Sequence, residues 1–235
     1  MIRLDKALSH MGLGSRKEVK NYIRKGYIVV NGEVVYDDDF KINPDEDEII
    51  IDGESFKYDE YVYIMLNKPA GVISATEDNR YETVVDLCSE YRKYNIFPVG
   101  RLDIDTEGLL ILTNDGELAH KLLSPKYHVF KKYYTKFDGV FKEEYLKAFE
   151  NGITIDDGYK CLPAKAEIIS ENECYIYIRE GKFHQVKRMM QALGMEVTYL
   201  ERIGFGKIEL DKSLARGAHR PLTEEELNSL KEAFI

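Results

Sequence analysis

One stretch of this chain carries more chemistry than any other. It is Gly100-Arg101-Leu102-Asp103-Ile104-Asp105-Thr106-Glu107-Gly108, running from Phe97-Pro98-Val99 into the apolar residues 109–112 and on to Gly116. A carboxylate beside an apolar strand costs free energy, so Asp103 is the first candidate for a reactive group. A carboxylate can act as a nucleophile, dividing one difficult step into easier ones without metal, redox centre or energy source. Leu102 and Ile104 flank it and are expected to limit water. Arg101, two residues earlier, must point elsewhere. In Lys131-Lys132-Tyr133-Tyr134 a strand would set Lys131 and Tyr133 on one face and Lys132 and Tyr134 on the other. In Glu180-Gly181-Lys182-Phe183-His184-Gln185-Val186-Lys187-Arg188-Met189-Met190 a glycine turn opens a helix with basic side chains near its start.

These groups need a frame. Leu4, Ala7, Leu8 and Met11 recur at helical spacing, and Gly12 and Gly14 close that element. Ser15 with Glu18 reads as a capping box for a second helix, with Val19, Tyr22 and Ile23 inward and Arg16, Lys17, Lys20 and Arg24 largely outward. Residues 27–30, Asn31-Gly32 and residues 33–35 predict a hairpin with a type I′ turn, and residues 49–51 a further strand. A domain boundary is expected near residues 57–61, giving domains 1–59 and 60–235. Beyond it, strands over 62–66, 130–137, 174–179 and 196–200 alternate with helices over 83–94, 116–123 and 183–193. Thr223 with Glu226 caps a last helix after Arg220-Pro221. Many strands joined by few helices, without a regular βαβ period, predict an α+β chain. It would be a small α/β domain followed by a domain built on a mixed, mostly antiparallel sheet.

The 235 residues suffice to bury a core, and 44% hydrophobic with 32% charged residues is the composition of a soluble globular protein. No apolar run approaches the length that spans a bilayer, and the N-terminus lacks an h-region, so no membrane partner is expected. Cys88, Cys161 and Cys174 are odd in number, far apart and without metal-ligand spacing, and read as reduced thiols of a cytoplasmic protein. The net charge of −9 argues against a nucleic-acid partner, but the distribution overrules the sum. Residues 1–32 hold seven Lys or Arg against two acids, a local +5, whereas residues 33–60 hold twelve acids against two lysines, a local −10. Phosphate binding depends on the local face.

Arg3-Leu4-Asp5-Lys6, Ser15-Arg16-Lys17 and Val30-Asn31-Gly32 together resemble the S4 RNA-binding domain. That resemblance implies that Arg3, Lys6, Ser15, Arg16, Lys17, Lys20 and Arg24 lie on RNA. A merely solvated helix face is the alternative. The run from Phe97 to Gly116, the Lys131/Tyr133 pair, the Phe183-to-Met189 segment and Ile203-Gly204 resemble the pseudouridine synthases. With Asn67-Lys68-Pro69 and the Arg220-to-Glu226 ending, they resemble the ribosomal small subunit pseudouridine synthase A family. This implies isomerisation of one uridine of 16S rRNA, the uridine-516-type site, by a monomer without cofactor or metal. The large-subunit branches, with a 23S target, are the nearest alternative.

The resemblance also implies roles. Asp103 would be the nucleophile, and Tyr133 would stack on the base and help remove the proton at C5. Lys187 would keep Asp103 ionised at a depressed pKa, with Arg188 in reserve. Arg101 would fill the space left by a flipped base and hold a phosphate, Leu102 and Lys131 would contact substrate, and Ile203 would close the pocket under the base. His184 and Gln185 are expected to hydrogen-bond locally. Three plainer readings stand beside these. Arg101 could pair with Asp105 or Glu107. The chain could be a non-catalytic S4-type RNA-binding protein of ribosome assembly. Asp103, Asp105 and Asp115 could hold a divalent ion in a nuclease, the first two sharing a strand face.

Overall fold

Short-range hydrogen bonding decides where the first elements begin. The computed structural model describes residues 1–44, 46–56, 58 and 60–232. The chain divides into two units, residues 1–62 with 90–96, and residues 63–89 with those from 97 onward. The expected boundary falls partly on residues 57 and 59, which lie outside the described residues.

The first unit runs β1 (Ile2–Arg3), α1 (Leu4–His10), α2 (Arg16–Arg24), β2 (Ile28–Val30), β3 (Glu33–Val34), β4 (Lys41–Ile42), β5 (Ile49–Ile51) and β6 (Glu54–Phe56). The Ser15 backbone N–H donates to the Glu18 carboxylate at 2.8 Å while Ser15 Oγ accepts from the Glu18 N–H at 3.4 Å, the reciprocal cap that starts α2. Asn31 and Gly32 take φ values of 52° and 83°, as the I′ hairpin between β2 and β3 requires. Leu4, Leu8, Val19, Ile23, Ile28, Ile42 and Ile49 form the core. Tyr22 does not join them. The apolar stripe of α2 is Val19 and Ile23, one turn apart, and Tyr22 lies beside it, exposed, with its ring 6.3 Å from that of Tyr27.

The second unit comprises β7 (Tyr63–Lys68), β8 (Phe97–Pro98), β9 (Glu107–Thr113), α3 (Gly116–Leu123), β10 (Lys131–Asp138), α4 (Glu144–Asn151), β11 (Lys165–Ser170), β12 (Glu173–Ile178), α5 (Gln185–Ala192), β13 (Glu196–Phe205), β14 (Ile208–Glu209), β15 (His219–Pro221) and α6 (Glu224–Glu232). Its sheet follows the order β11-β12-β10-β13-β9-β7-β15, with β8 on β9 and β14 on β13. Among the strands of the described residues only the β9–β13 pairing is parallel, so the fold is α+β on a mixed, mostly antiparallel sheet. The helix expected over 83–94 does not form. Thr83 donates to the Asp86 carboxylate from both its backbone N–H and its hydroxyl, and Asp86 N–H returns a bond to Thr83 Oγ1. This is the reciprocal pattern that opens α2, but the backbone after it closes only tight turns, Asp86 N–H donating to the Thr83 carbonyl at 3.1 Å and Cys88 N–H to that of Val85 at 3.2 Å, and a 3-10 turn over Ser89–Tyr94 follows.

Gly108 permits the parallel crossing. It sits at φ 98°, and a Cβ there would lie 2.3 Å from the carbonyl oxygen of Arg202, its cross-strand partner. Gly108→Ala is therefore expected to destabilise the protein by about 3 kcal/mol, from left-handed strain plus backbone displacement. Urea unfolding measures this, and an unchanged midpoint would contradict the packing described.

Candidate active site

The loop between β8 and β9 is pinned by backbone bonds before any side chain is aimed. Ser74 Oγ accepts from the Leu102 N–H at 3.0 Å and donates to the Leu102 carbonyl at 2.9 Å, and Gly71 N–H donates to the Ile104 carbonyl at 2.7 Å. The main anchor is Lys68 at the end of β7, which is fully buried. Its ammonium donates to the carbonyls of Pro69 (3.0 Å), Asp103 (3.1 Å), Ile104 (3.4 Å) and Thr106 (2.8 Å). Burial pushes Lys68 down to about 8, against the upward pull of Asp105, Asp103 and Glu107. Sequence reasoning passed over Lys68 except as part of a match, because a lysine ordinarily reads as surface.

Held this way, Asp103 is half-buried at a cavity of about 340 Å³. The Lys187 ammonium, from α5, lies 3.4 Å from Asp103 Oδ2 and 2.6 Å from Asp105 Oδ1. Burial acts to raise the Asp105 carboxyl, but the Lys187 bond and charge outweigh it and hold that group below its usual range. Arg101, Leu102, Lys131 and Tyr133 line the same cavity. As strand alternation predicts, Lys131 and Tyr133 share one face, at this cavity, and Lys132 and Tyr134 the other, at a separate cavity. Among the described residues Arg101 has no ion pair, so the pairing with Asp105 or Glu107 is not formed.

Four expectations fail at this site. Arg188 turns away from Asp103 and pairs with Asp156 and, at 2.7 Å, with Asp157. Ile203 lines the other cavity. The register steps from Lys132↔Gly204 to Tyr133↔Arg202, so Ile203 is the residue passed over in a bulge, and Leu200 and Arg202 face Asp103's cavity instead. Ile104 is 38% exposed and shields nothing. His184, expected to bond locally, takes φ 49° before α5 and brings Nε2 within 3.7 Å of Asp103 Oδ1, its ring stacked on exposed Phe183. Gln185 does bond locally, to the Lys182 N–H and Glu180.

The carboxylates do not build a metal site. Asp103 and Asp105 lie on a loop rather than a shared strand face, and Asp115 caps α3 by accepting from Leu118 N–H at 2.9 Å and from the Tyr63 hydroxyl at 2.8 Å. Among the described residues no cluster of His, Cys, Asp and Glu could hold a metal, and no helix is long and apolar enough to cross a membrane. In the first unit, four of the seven residues expected on RNA already have partners. Arg3 pairs with Asp5 at 3.0 Å and with Asp39, Lys20 lies 3.4 Å and Arg24 2.7 Å from Asp38, and Ser15 is the α2 cap. Lys6, Arg16 and Lys17 are exposed and hold no ion pair among the described residues.

Residues 62–192 match the family model described as RNA pseudouridylate synthase, and residues 2–49 match the S4 domain. The chain belongs to the RNA pseudouridylate synthase family. It is 49% identical, over 98% of its length and 99% of the relative's, to an uncharacterized RNA pseudouridine synthase of Bacillus subtilis. It is 39% identical to the ribosomal large subunit pseudouridine synthase B of Bacillus subtilis, over 98% of this chain and 96% of the other. It is 37% identical to the ribosomal small subunit pseudouridine synthase A of Haemophilus influenzae, over 97% of this chain and 99% of the other. A crystal structure of a pseudouridylate synthase superposes with a TM-score of 0.69 at 36% identity, covering 98% of this chain and all of that one. The protein is thus a pseudouridine synthase, an isomerase, preceded by an S4 RNA-binding domain.

The anchor of this synthase's loop is testable through proton linkage. Lys68 releases its proton near pH 8 in the folded state but near its ordinary value of 10.5 when unfolded, so the unfolded chain binds more protons between those values. Lys68 therefore adds stability as pH rises from 8 towards 10.5. Lys68→Met, which strands buried carbonyls, is expected to lower stability at pH 7 by about 2–4 kcal/mol. Its deficit against wild type should widen at pH 10 in urea unfolding, and a pH-independent deficit would contradict the burial of the charge.

Proposed function

We propose that this pseudouridine synthase acts on ribosomal RNA, using Asp103 as the nucleophile that lets a uridine exchange its N1 bond to ribose for one through C5. The observation that carries the proposal is the half-buried Asp103 carboxylate at a cavity that Tyr133 also lines, with Lys187 3.4 Å away. The ion pair to Lys187 holds the carboxyl group in place at the cavity, as a nucleophile requires. Tyr133 is buried and lines the cavity, and stacking a base on it would be worth about 1–3 kcal/mol. The exposed Arg101 at the cavity, without an ion pair among the described residues, suits the space vacated when the base leaves its stack and the phosphate beside it. Lys6, Arg16 and Lys17 of the S4 domain are the cations best placed to hold the RNA. The domain division proposed is residues 1–59 for RNA docking and 60–235 for the chemistry, in one monomer acting in the cytoplasm without a cofactor.

The proposed target is 16S rRNA, at the uridine-516-type site, on the strength of the Phe183-to-Met189 segment and the Arg220-to-Glu226 ending. A second reading, a 23S target, is favoured by the 39% identity to a large-subunit synthase B. Purified protein is offered 16S and 23S transcripts tritiated at uridine C5, and tritium release is followed. Asp103→Asn is expected to lower the rate by at least about 10⁴-fold while RNA affinity stays within about twofold. Release by Asp103→Asn at a wild-type rate would refute the nucleophile, and which transcript reacts separates the two targets.

A further inference from the structure

Three polar groups around the cavity lack the partners that burial demands. Arg202 is 3% exposed, its Nε donates to the Leu109 carbonyl at 2.8 Å, and its Nη2 is buried without a partner. Lys131, 5% exposed, sets its ammonium 5.3 Å from the centroid of the Phe205 ring and holds no hydrogen bond or ion pair among the described residues. Thr106 is 1% exposed with its hydroxyl oxygen buried and unpartnered. All three line the cavity that Asp103 and Tyr133 share.

The sheet register makes the cations neighbours. Arg202 lies directly opposite Tyr133 and Lys131 directly opposite Phe205, and the Arg202 guanidinium is 5.2 Å from that same ring. The nearby carboxylates are engaged elsewhere: Glu180 by the Tyr159 hydroxyl, Leu162 N–H and Gln185, and Asp105 by Lys187. Burial first, and the Arg202 charge second, push Lys131 down to about 8. Two cations flanking one apolar ring without a counter-charge are costly to the fold, and a methionine would fill the Lys131 site more cheaply. The arrangement answers to a ligand rich in acceptors.

We infer that Arg202 and Lys131, together with Thr106, form the base-reading floor of the cavity, binding the imide edge of the target uracil and taking up the negative charge its ring acquires during the exchange. The inference rests on the reaction proposed above. When the N1–C1′ bond breaks, its electron pair stays on the base, spread over N1, O2 and O4. Asp103 takes the place of N1 on C1′ as that bond breaks. A pair from C5 then forms the C5–C1′ bond and displaces the Asp103 carboxylate, C5 loses its proton and N1 gains one, so the product is an isomer and the enzyme is restored. Fixed cationic donors aimed at such developing charge in a dry site stabilise it without reorganisation. The edge itself presents an acceptor, the N3–H donor and a second acceptor. Two cationic donors and one hydroxyl able to accept are its complement, whereas cytosine would turn an amino donor towards a cation.

The test uses the full chain, tritiated 16S and 23S transcripts, filter binding and thermal unfolding. Lys131→Met is expected to lower kcat about 100-fold with RNA affinity within about twofold, and to melt at a higher temperature than wild type because an unpaired buried charge is gone. Lys131→Arg should recover part of the rate. Arg202→Lys, which keeps the charge but not the fork of donors, should lose about tenfold in kcat. A Lys131→Met rate within twofold of wild type overturns the inference. So does a rate that falls only in step with RNA affinity, or with a lowered melting temperature, since those mark a phosphate contact or a structural role. Wild-type protein that releases no tritium from either RNA overturns the underlying reaction, a failure visible before any variant is made.

Discussion

The Lys68 ammonium is the interaction on which the site depends. A fully buried cation in a low-dielectric interior must be surrounded by oxygen, and this one takes its oxygen from the backbone of the loop that carries Asp103. The cost of burying the charge and the cost of bending the chain between residues 103 and 106 are thereby met together. The loop's shape follows from its position beside the end of β7, with Ser74 and Gly71 fixing the flanks. Asp103 is then a side chain on a rigid ring of carbonyls rather than on a free loop. Such preorganisation suits the nucleophilic role proposed for it, which requires staying in reach of one carbon.

Around that ring the local electrostatics run opposite to those of the chain as a whole. The protein carries a net charge of −9, yet Lys68, Lys131, Lys187 and Arg202 gather at or beside one cavity, where Asp103 and Asp105 are paired with Lys187. Close approach of β9 to β13 at Gly108 makes this possible, because it carries Arg202 into the sheet next to the loop and lets its Nε reach the Leu109 carbonyl. The same economy governs the S4 domain. Asp5, Asp38 and Asp39 occupy half of its expected cationic face, and Lys6, Arg16 and Lys17 hold no ion pair among the described residues.

Much of this was legible in the residues. Period-two alternation paired Lys131 with Tyr133 and Lys132 with Tyr134, the family resemblance chose the first pair, the capping boxes at Ser15 and Thr223 fixed two helix starts, and Asn31-Gly32 fixed a hairpin. What escaped did so for physical reasons. Ile203 was misplaced because a bulge breaks the alternation that sequence spacing assumes. The helix over 83–94 is absent although Thr83 and Asp86 make a capping box, and the segment is divided between the two units at residue 90, which no apolar pattern reveals. Arg188 found acids some thirty residues away in sequence, at Asp156 and Asp157, and no local signal reports such a pairing. Lys68 and Arg202 were hidden because a basic residue in a sequence reads as solvated until a structure buries it.

The most direct measurement is a quantitative map of pseudouridine in ribosomal RNA from cells lacking the gene, complemented with the wild-type chain or with Asp103→Asn. The account predicts that one uridine loses its modification without the gene, regains it with the wild-type chain and stays unmodified with the variant. A modification pattern unchanged by loss of the gene, or one restored by Asp103→Asn, would contradict it.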